Sequence, residues 1–87
     1  MNVRIPTPLR SYTAEEAVVE VDAAGTVGAL LDELDRRYPG LRFRVVDEQD
    51  RLRQHMKVFV NADPVRDLAQ ALQPTDEVTI MQALSGG

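Results

Sequence analysis

The chain has 87 residues and a formal net charge of −4 at pH 7, a size that allows one domain with a single core. Cysteine is absent, which excludes disulfides, thiolate metal sites and cysteine catalysis. The acidic balance argues against general nucleic-acid binding. No apolar run approaches the roughly 20 residues that span a bilayer, and the N-terminus lacks the apolar stretch of a signal peptide. We therefore expect a cytoplasmic protein without a nucleic-acid or membrane partner.

The first part of the chain predicts two strands. Val3 and Ile5 alternate with polar residues until Pro6 interrupts the pattern. Residues 17–22 are rich in β-branched side chains and predict the second strand, with residues 9–16 as the hairpin loop between them.

An amphipathic helix follows these strands. Thr26 is its expected N-cap, and Pro39-Gly40 marks its end. Apolar residues recur at the spacing of one helical face: Val27, Leu30, Leu31, Leu34 and Tyr38. We interpret this stripe as part of the core.

Residues 41–46 and 52–54 are expected to pair as strands across a polar turn at residues 47–50. Basic residues are frequent in this region, where they are diluted by three carboxylates: Arg42, Arg44, Arg51, Arg53 and Lys57. We interpret the region as a solvated hairpin in preference to a phosphate or partner site.

The last part of the chain predicts two longer strands. Residues 56–61 form the first, followed by a turn and a short strand at Val65-Arg66. Residues 68–72 predict a helical turn, and residues 77–81 the final strand.

A single amphipathic helix must bury its apolar stripe against another layer, here the sheet that the strands form. The long crossover through the helix requires the strands before and after it to be parallel or non-adjacent. This order predicts an α+β fold of the β-grasp, or ubiquitin-like, type, with a mixed sheet packed on one main helix. We expect residues 1–82 to form this domain and residues 83–87 to form a flexible tail.

The tail reads Ala83-Leu84-Ser85-Gly86-Gly87. Two terminal glycines have no side chains and tolerate many backbone angles, so they suit a channel too narrow for a β-carbon. Five extended residues span at most about 17 Å. We predict that Gly87 supplies the chemistry and that the domain upstream presents it.

The chain resembles the small sulfur carriers of the MoaD/ThiS family over nearly its whole length. The matching features are the helix with its Tyr38-Pro39-Gly40 end, the Val58-Phe59-Val60-Asn61 strand, the Asp76-Glu77-Val78-Thr79-Ile80 run and the diglycine. Within the family, Ile5-Pro6-Thr7 with Leu9-Arg10 and Thr13 is most similar to the carrier that serves a cysteine synthase. Gln82 replaces a frequent proline of the family, and Ala62 replaces a frequent glycine.

The resemblance implies that this chain is a protein cosubstrate and not an enzyme. An E1-like enzyme would adenylate the Gly87 carboxylate with ATP and Mg²⁺ held on that enzyme, and a sulfur donor would convert the adenylate to a thiocarboxylate. A biosynthetic enzyme would then accept the sulfur. The chain itself would bind no cofactor or metal and would contain no catalytic residue. Ser85 is interpreted as a small polar filler, and His55 is assigned no role.

Two outward-facing apolar residues are the predicted partner-binding site. If Val58 and Val60 face the helix, Phe59 points to the other face of the sheet, and the same alternation places Met81 there. An exposed apolar patch on a small protein suggests an interaction surface. By resemblance, Met81 matches the apolar residue that contacts the activating enzyme.

Three other functions share this sequence pattern. A ubiquitin-like protein modifier would undergo the same activation, and a small subunit of molybdopterin synthase would insert its tail into a larger subunit. A β-grasp binding module would make no use of its tail, because a fold alone does not define a function.

Overall fold

The computed structural model describes residues 1–22 and 25–83. The elements follow in the order β1 (Asn2–Arg4), a 3₁₀ helix (Thr7–Thr13), β2 (Val18–Glu20), α1 (Val27–Arg37), α2 (Leu41–Val45), β3 (Met56–Val60), β4 (Asp63–Pro64) and β5 (Val78–Gln82).

The strands form one mixed sheet in the order β2-β1-β5-β3-β4. β1 and β5 run parallel at its centre, with Val3 opposite Val78. The other neighbours are antiparallel, and β3 and β5 share the longest ladder, from Met56–Gln82 to Val60–Val78. This sheet with its one main helix is the β-grasp arrangement that the sequence predicts.

The core lies between α1 and one face of the sheet. Val58, Ile80 and Val3 on the three central strands are buried, as are Leu30 and Leu34 of the helix. The apolar stripe of α1 is therefore core, as predicted, because alternate strand residues and every third or fourth helical residue face each other.

The N-terminus of α1 is capped both by a side chain and by backbone carbonyls of a neighbouring segment. The Thr26 hydroxyl accepts a hydrogen bond from the Ala29 amide at 3.1 Å, which is the predicted N-cap contact. The carbonyls of Leu68 and Gln70 accept from the amides of the first two helical residues. The predicted helical turn at residues 68–72 is confirmed only in part. Leu68 and Ala69 form a turn that the Gln70 amide closes on the Asp67 carbonyl, but the chain then pairs with Thr26 through an isolated bridge at Ala71. This segment satisfies free amides at the start of α1.

The predicted strand pairing after α1 is also wrong. Leu41–Val45 form the short helix α2, and only an isolated bridge between Val46 and Leu52 remains of the expected hairpin. Leu41 and Val45 are both buried. Because they lie four residues apart, a helical turn places both on the core side.

The reversal into α2 depends on two residues before it. Gly40 has φ +96°, a conformation that favours glycine. One carboxylate oxygen of Asp35 accepts hydrogen bonds from the amides of Gly40 and Arg42, at 3.0 and 3.2 Å. A side chain of α1 therefore caps the start of α2.

Two smaller differences concern the connection between β1 and β2 and the position of the short strand after β3. The predicted loop at residues 9–16 contains most of the 3₁₀ helix, which buries Leu9 and Thr13. The short strand expected at Val65-Arg66 is wrong in position, since the two-residue strand at the sheet edge is Asp63–Pro64. Val65 instead turns into the core.

Candidate functional site: the outer sheet face and the root of the tail

The tail leaves the domain directly from the sheet. β5 ends at Gln82, and the Ala83 amide donates a hydrogen bond of 2.6 Å to the His55 carbonyl. His55 has φ +72°, in the left-handed region that most residues avoid. The backbone therefore turns at His55, just before β3, and the carbonyl of this same residue binds the Ala83 amide. The predicted tail residues Leu84, Ser85, Gly86 and Gly87 lie outside the described residues.

Phe59 and Met81 lie on the face of the sheet opposite the core, which we call the outer face. Phe59 is half-buried and Met81 is 47% exposed. Phe59 stands opposite Thr79, and Met81 opposite Lys57, so the two apolar residues are diagonal neighbours across the β3–β5 ladder. The outer face thus brings the two predicted contact residues together, and Met81 lies two residues before the start of the tail at Ala83.

Positive charge borders this apolar pair. Lys57 is exposed beside Met81. On the next strand, Arg4 is level with Thr79 and pairs with Glu77 at 2.6 Å. The outer face can therefore offer an apolar contact with a cation next to it.

A groove of about 390 Å³ lies at the root of the tail. We call it the root groove, and its lining consists of Phe43, Arg44, Arg53, Gln54, His55, Met56, Gln82 and Ala83. The Arg53 guanidinium stacks over the Phe43 ring, 4.6 Å from its centroid. Arg53 also donates from Nε to the Phe43 carbonyl. A basic and aromatic surface therefore adjoins the first residue of the tail.

The basic region noted in the sequence divides into two groups. Arg42 is paired with Asp32 at 2.9 Å and with Asp50 at 2.7 Å, and Arg51 lies 3.7 Å from Asp47. The ion pairs of Arg42 join α2 to α1 and to the loop at residues 47–50, in line with a solvated surface. Arg44 and Arg53, by contrast, line the root groove. Sequence reasoning missed this site, and the density of arginines was its one signal.

None of the helices in the described part of the chain has the length and apolar character that crossing a membrane requires.

The fold and the exit of the tail from the central sheet define a small protein of the ubiquitin-like β-grasp class. Comparison with known proteins identifies the group within that class. Residues 3–87 match the ThiS family, and the chain belongs to this family.

Two CysO relatives match nearly the whole chain, and an archaeal relative matches most of it. The sulfur carrier protein CysO of Mycobacterium tuberculosis is 36% identical, with 100% of this chain and 98% of the relative covered. CysO of Amycolatopsis orientalis, solved in a BexX/CysO complex, has a TM-score of 0.89 at 35% identity, with 99% and 98% of the two chains covered. The small archaeal modifier protein 1 of Haloferax volcanii is 35% identical over 79% of this chain and 78% of the relative.

These similarities confirm the predicted family, the β-grasp fold and the role as a sulfur carrier. The CysO relatives are named as sulfur carrier proteins, in agreement with a protein that acts as a cosubstrate and not as an enzyme.

Proposed function

We propose that this chain carries sulfur as a thiocarboxylate on Gly87, which an E1-like enzyme activates and a biosynthetic enzyme consumes. The observation that carries this proposal is the exit of the tail from the sheet. The hydrogen bond between the Ala83 amide and the His55 carbonyl fixes where the tail begins. A partner that binds the folded domain thereby receives the tail from a defined starting point.

Activation is needed because a carboxylate is a poor electrophile. The α-carboxyl group has a pKa of about 3.5 and is ionised at neutral pH, so its oxygen can attack the α-phosphorus of ATP. A new P–O bond forms, and pyrophosphate leaves with the electron pair of the bond that breaks. The resulting acyl-adenylate has an electrophilic carbonyl carbon and AMP as its leaving group.

The second step introduces the sulfur. A hydrosulfide equivalent from a sulfur donor attacks the carbonyl carbon, the C–O bond to AMP breaks, and the thiol proton is lost to solvent. The thiocarboxylate that remains is a nucleophile on a tether. Holding it inside the acceptor's site converts a bimolecular transfer into an effectively unimolecular one.

The domain contributes recognition to both steps. Phe59 and Met81 on the outer face are the proposed contact for the activating enzyme. Their position on the ladder next to the start of the tail supports this role. An apolar centre bordered by Lys57 and Arg4 has the composition of a small protein interface.

Intact mass spectrometry tests the proposal directly. The chain is incubated with ATP, Mg²⁺, the E1-like enzyme of the same organism and sulfide. We expect a mass increase equal to the difference between sulfur and oxygen, and no change when Gly87 is deleted. An unchanged mass of the intact chain under conditions in which the enzyme is active on another carrier would refute the proposal.

A second candidate function, modification of other proteins, is favoured by one observation. The relative from Haloferax volcanii is named a modifier. In that role the acyl-adenylate would be transferred to lysine amines, with an amide bond formed and AMP released.

Affinity capture under denaturing conditions separates the two functions. A modifier leaves a ladder of covalent conjugates that disappears when Gly87 is deleted. A carrier leaves the free chain and its thiocarboxylate.

A further inference from the structure

We propose that the root groove is a second contact surface, which receives a carboxylate-rich segment of the proteins that take up the tail. This inference rests on the proposed function, because it assumes that partners bind the tail. It adds a site on the domain that is separate from the Phe59 and Met81 pair on the outer face.

The groove's position makes it available to any such partner. Gln82 and Ala83 form part of its wall, so a protein that encloses the next residues of the tail must approach this surface. His55 joins the groove to the tail, since its carbonyl binds the Ala83 amide.

The charge of the groove favours an anionic partner. The chain as a whole has a net charge of −4, yet no carboxylate among residues 1–22 and 25–83 pairs with Arg44 or Arg53. The neighbouring Arg42 and Arg51 do have such partners. The two arginines at the tail therefore present positive charge without a direct carboxylate partner in the described part of the domain, although the charge of Arg53 is felt at Asp47.

One of these arginines is held ready for binding. Stacking on Phe43 and the hydrogen bond from Nε fix the plane of the Arg53 guanidinium. The remaining N–H groups of a guanidinium form a planar fork that fits a carboxylate. A side chain ordered in advance loses less conformational entropy when it binds.

Phe43 adds an apolar contact to this charged site. The residue is 51% exposed, although it is the one aromatic residue of α2. Aromatic residues and arginines are enriched in protein interfaces, where they supply much of the binding energy. The pair of Phe43 and Arg53 has this composition, and it complements a segment in which glutamates or aspartates flank an apolar residue.

A capped hexaglutamate peptide is the first probe. We expect its titration into the isotope-labelled full chain to shift the NMR signals of Arg44, Arg53 and Ala83 in a saturable manner. The double variant Arg44→Gln/Arg53→Gln should lose these shifts. Arg36→Gln, which removes an exposed arginine on α1, should retain them. Shifts that persist in the double variant, or that spread evenly over all arginines, would overturn the proposal.

Adenylation kinetics are the second measurement. For the double variant we expect the KM of the E1-like enzyme for the chain to rise about five- to tenfold, the effect of two surface contacts of modest strength, with kcat little changed. An unchanged KM would refute the groove's role while the carrier function stands. If the unmodified chain is not adenylated at all, the carrier proposal fails. The peptide titration then remains as the test of whether the root groove binds carboxylates.

Discussion

Asn61 and Asp76 join the turn after β3 to the loop before β5, with Asn61 Nδ2 at 3.0 Å from Asp76 Oδ1. The other oxygen of Asp76 accepts from the Gln73 amide at 2.8 Å. Asn61 Oδ1 accepts from the Glu77 amide at 3.1 Å. The Gln73 amide first, and then the Asn61 side chain, hold the pKa of Asp76 below its usual value. The ionised carboxylate of Asp76 therefore stabilises the end of the sheet opposite the tail.

Acid should remove the stabilisation that the ionised Asp76 carboxylate provides. The pKa of Asp76 is lower in the folded than in the unfolded chain, so its stabilising effect is present above the usual carboxyl pKa of about 4 and is lost as pH falls through the folded value. We expect Asp76→Ala to lower the urea midpoint at about pH 7 and to differ much less from the unmodified chain at about pH 3.

Glu48→Ala is the control for this pH dependence, because the Glu48 carboxylate has no hydrogen bond or ion pair among the described residues. Its midpoint should follow that of the unmodified chain at both pH values. An equal loss for Asp76→Ala at both pH values would contradict the assignment to the ionised carboxylate.

Gly40→Ala should destabilise the fold by about 1 kcal/mol or more. Alanine is strained in the left-handed backbone conformation of this position, and its β-carbon would crowd the Tyr12 ring. A β-carbon at Gly40 would lie 3.2 Å from Cε1 of Tyr12. Gly25 also has a positive φ, +83°, but no described atom lies within 4 Å of its β-carbon position. Thermal unfolding of Gly25→Ala therefore measures the backbone strain alone, and Gly40→Ala should lose more. Equal losses would rule out the Tyr12 contact.

Thr26→Ala should cost about 1 kcal/mol, because the Ala29 amide loses the hydroxyl that caps α1. Thr26→Ser keeps an oxygen at the same place and should retain most of the stability. Urea unfolding of the two variants checks this expectation. If the serine variant were as unstable as the alanine variant, the loss would come from packing of the threonine methyl group and not from the cap.

Phe59→Asp should leave unfolding cooperative, because the side chain is half-buried on the outer face and outside the core cluster. It should slow adenylation, since a charge would replace the apolar centre of the proposed contact. Val18→Asp is the matched control, because Val18 is exposed on β2 at the far edge of the sheet. Adenylation rates that are equal for both variants would exclude this patch.

Periodicity made the main helix and the two long strands predictable. The stripe of α1 with its Thr26 cap, and the alternation of Val58 and Val60, are local patterns that match the buried faces found in the structure. The crossover through α1 also made it predictable that the strands it joins are parallel or non-adjacent, and β2 and β3 are indeed not neighbours in the sheet.

The errors lie where distant residues decide the local structure. α2 forms because Asp35 on another helix caps it and because Leu41 and Val45 both reach the core. The turn at residues 68–69 does not continue into a helix, because the carbonyls of Leu68 and Gln70 serve as acceptors for the first amides of α1. Neither cause is visible within a window of a few residues. The local sequence therefore predicts the wrong structure for residues 41–46 and only part of the structure of residues 68–72.

The candidate site was predictable only in part. Strand alternation placed Phe59 and Met81 on one face, but their role in partner binding stays a prediction. The root groove could not be derived, because Phe43 and Arg53 meet only once α2 turns the aromatic ring toward the segment that precedes β3. The chemistry assigned to Gly87 also stays a prediction, since that residue lies outside the described part of the chain.

The two edge strands of the sheet are short, with three residues in β2 and two in β4. Pro64 on β4 has no amide hydrogen to donate to a further strand. Long exposed edge strands can pair with strands of further copies of a protein and so cause aggregation. We expect this chain to stay monomeric even when it accumulates between its partners. Each chain would then reach its partner as a monomer and deliver one sulfur atom. The amount of sulfur delivered would therefore equal the number of loaded chains.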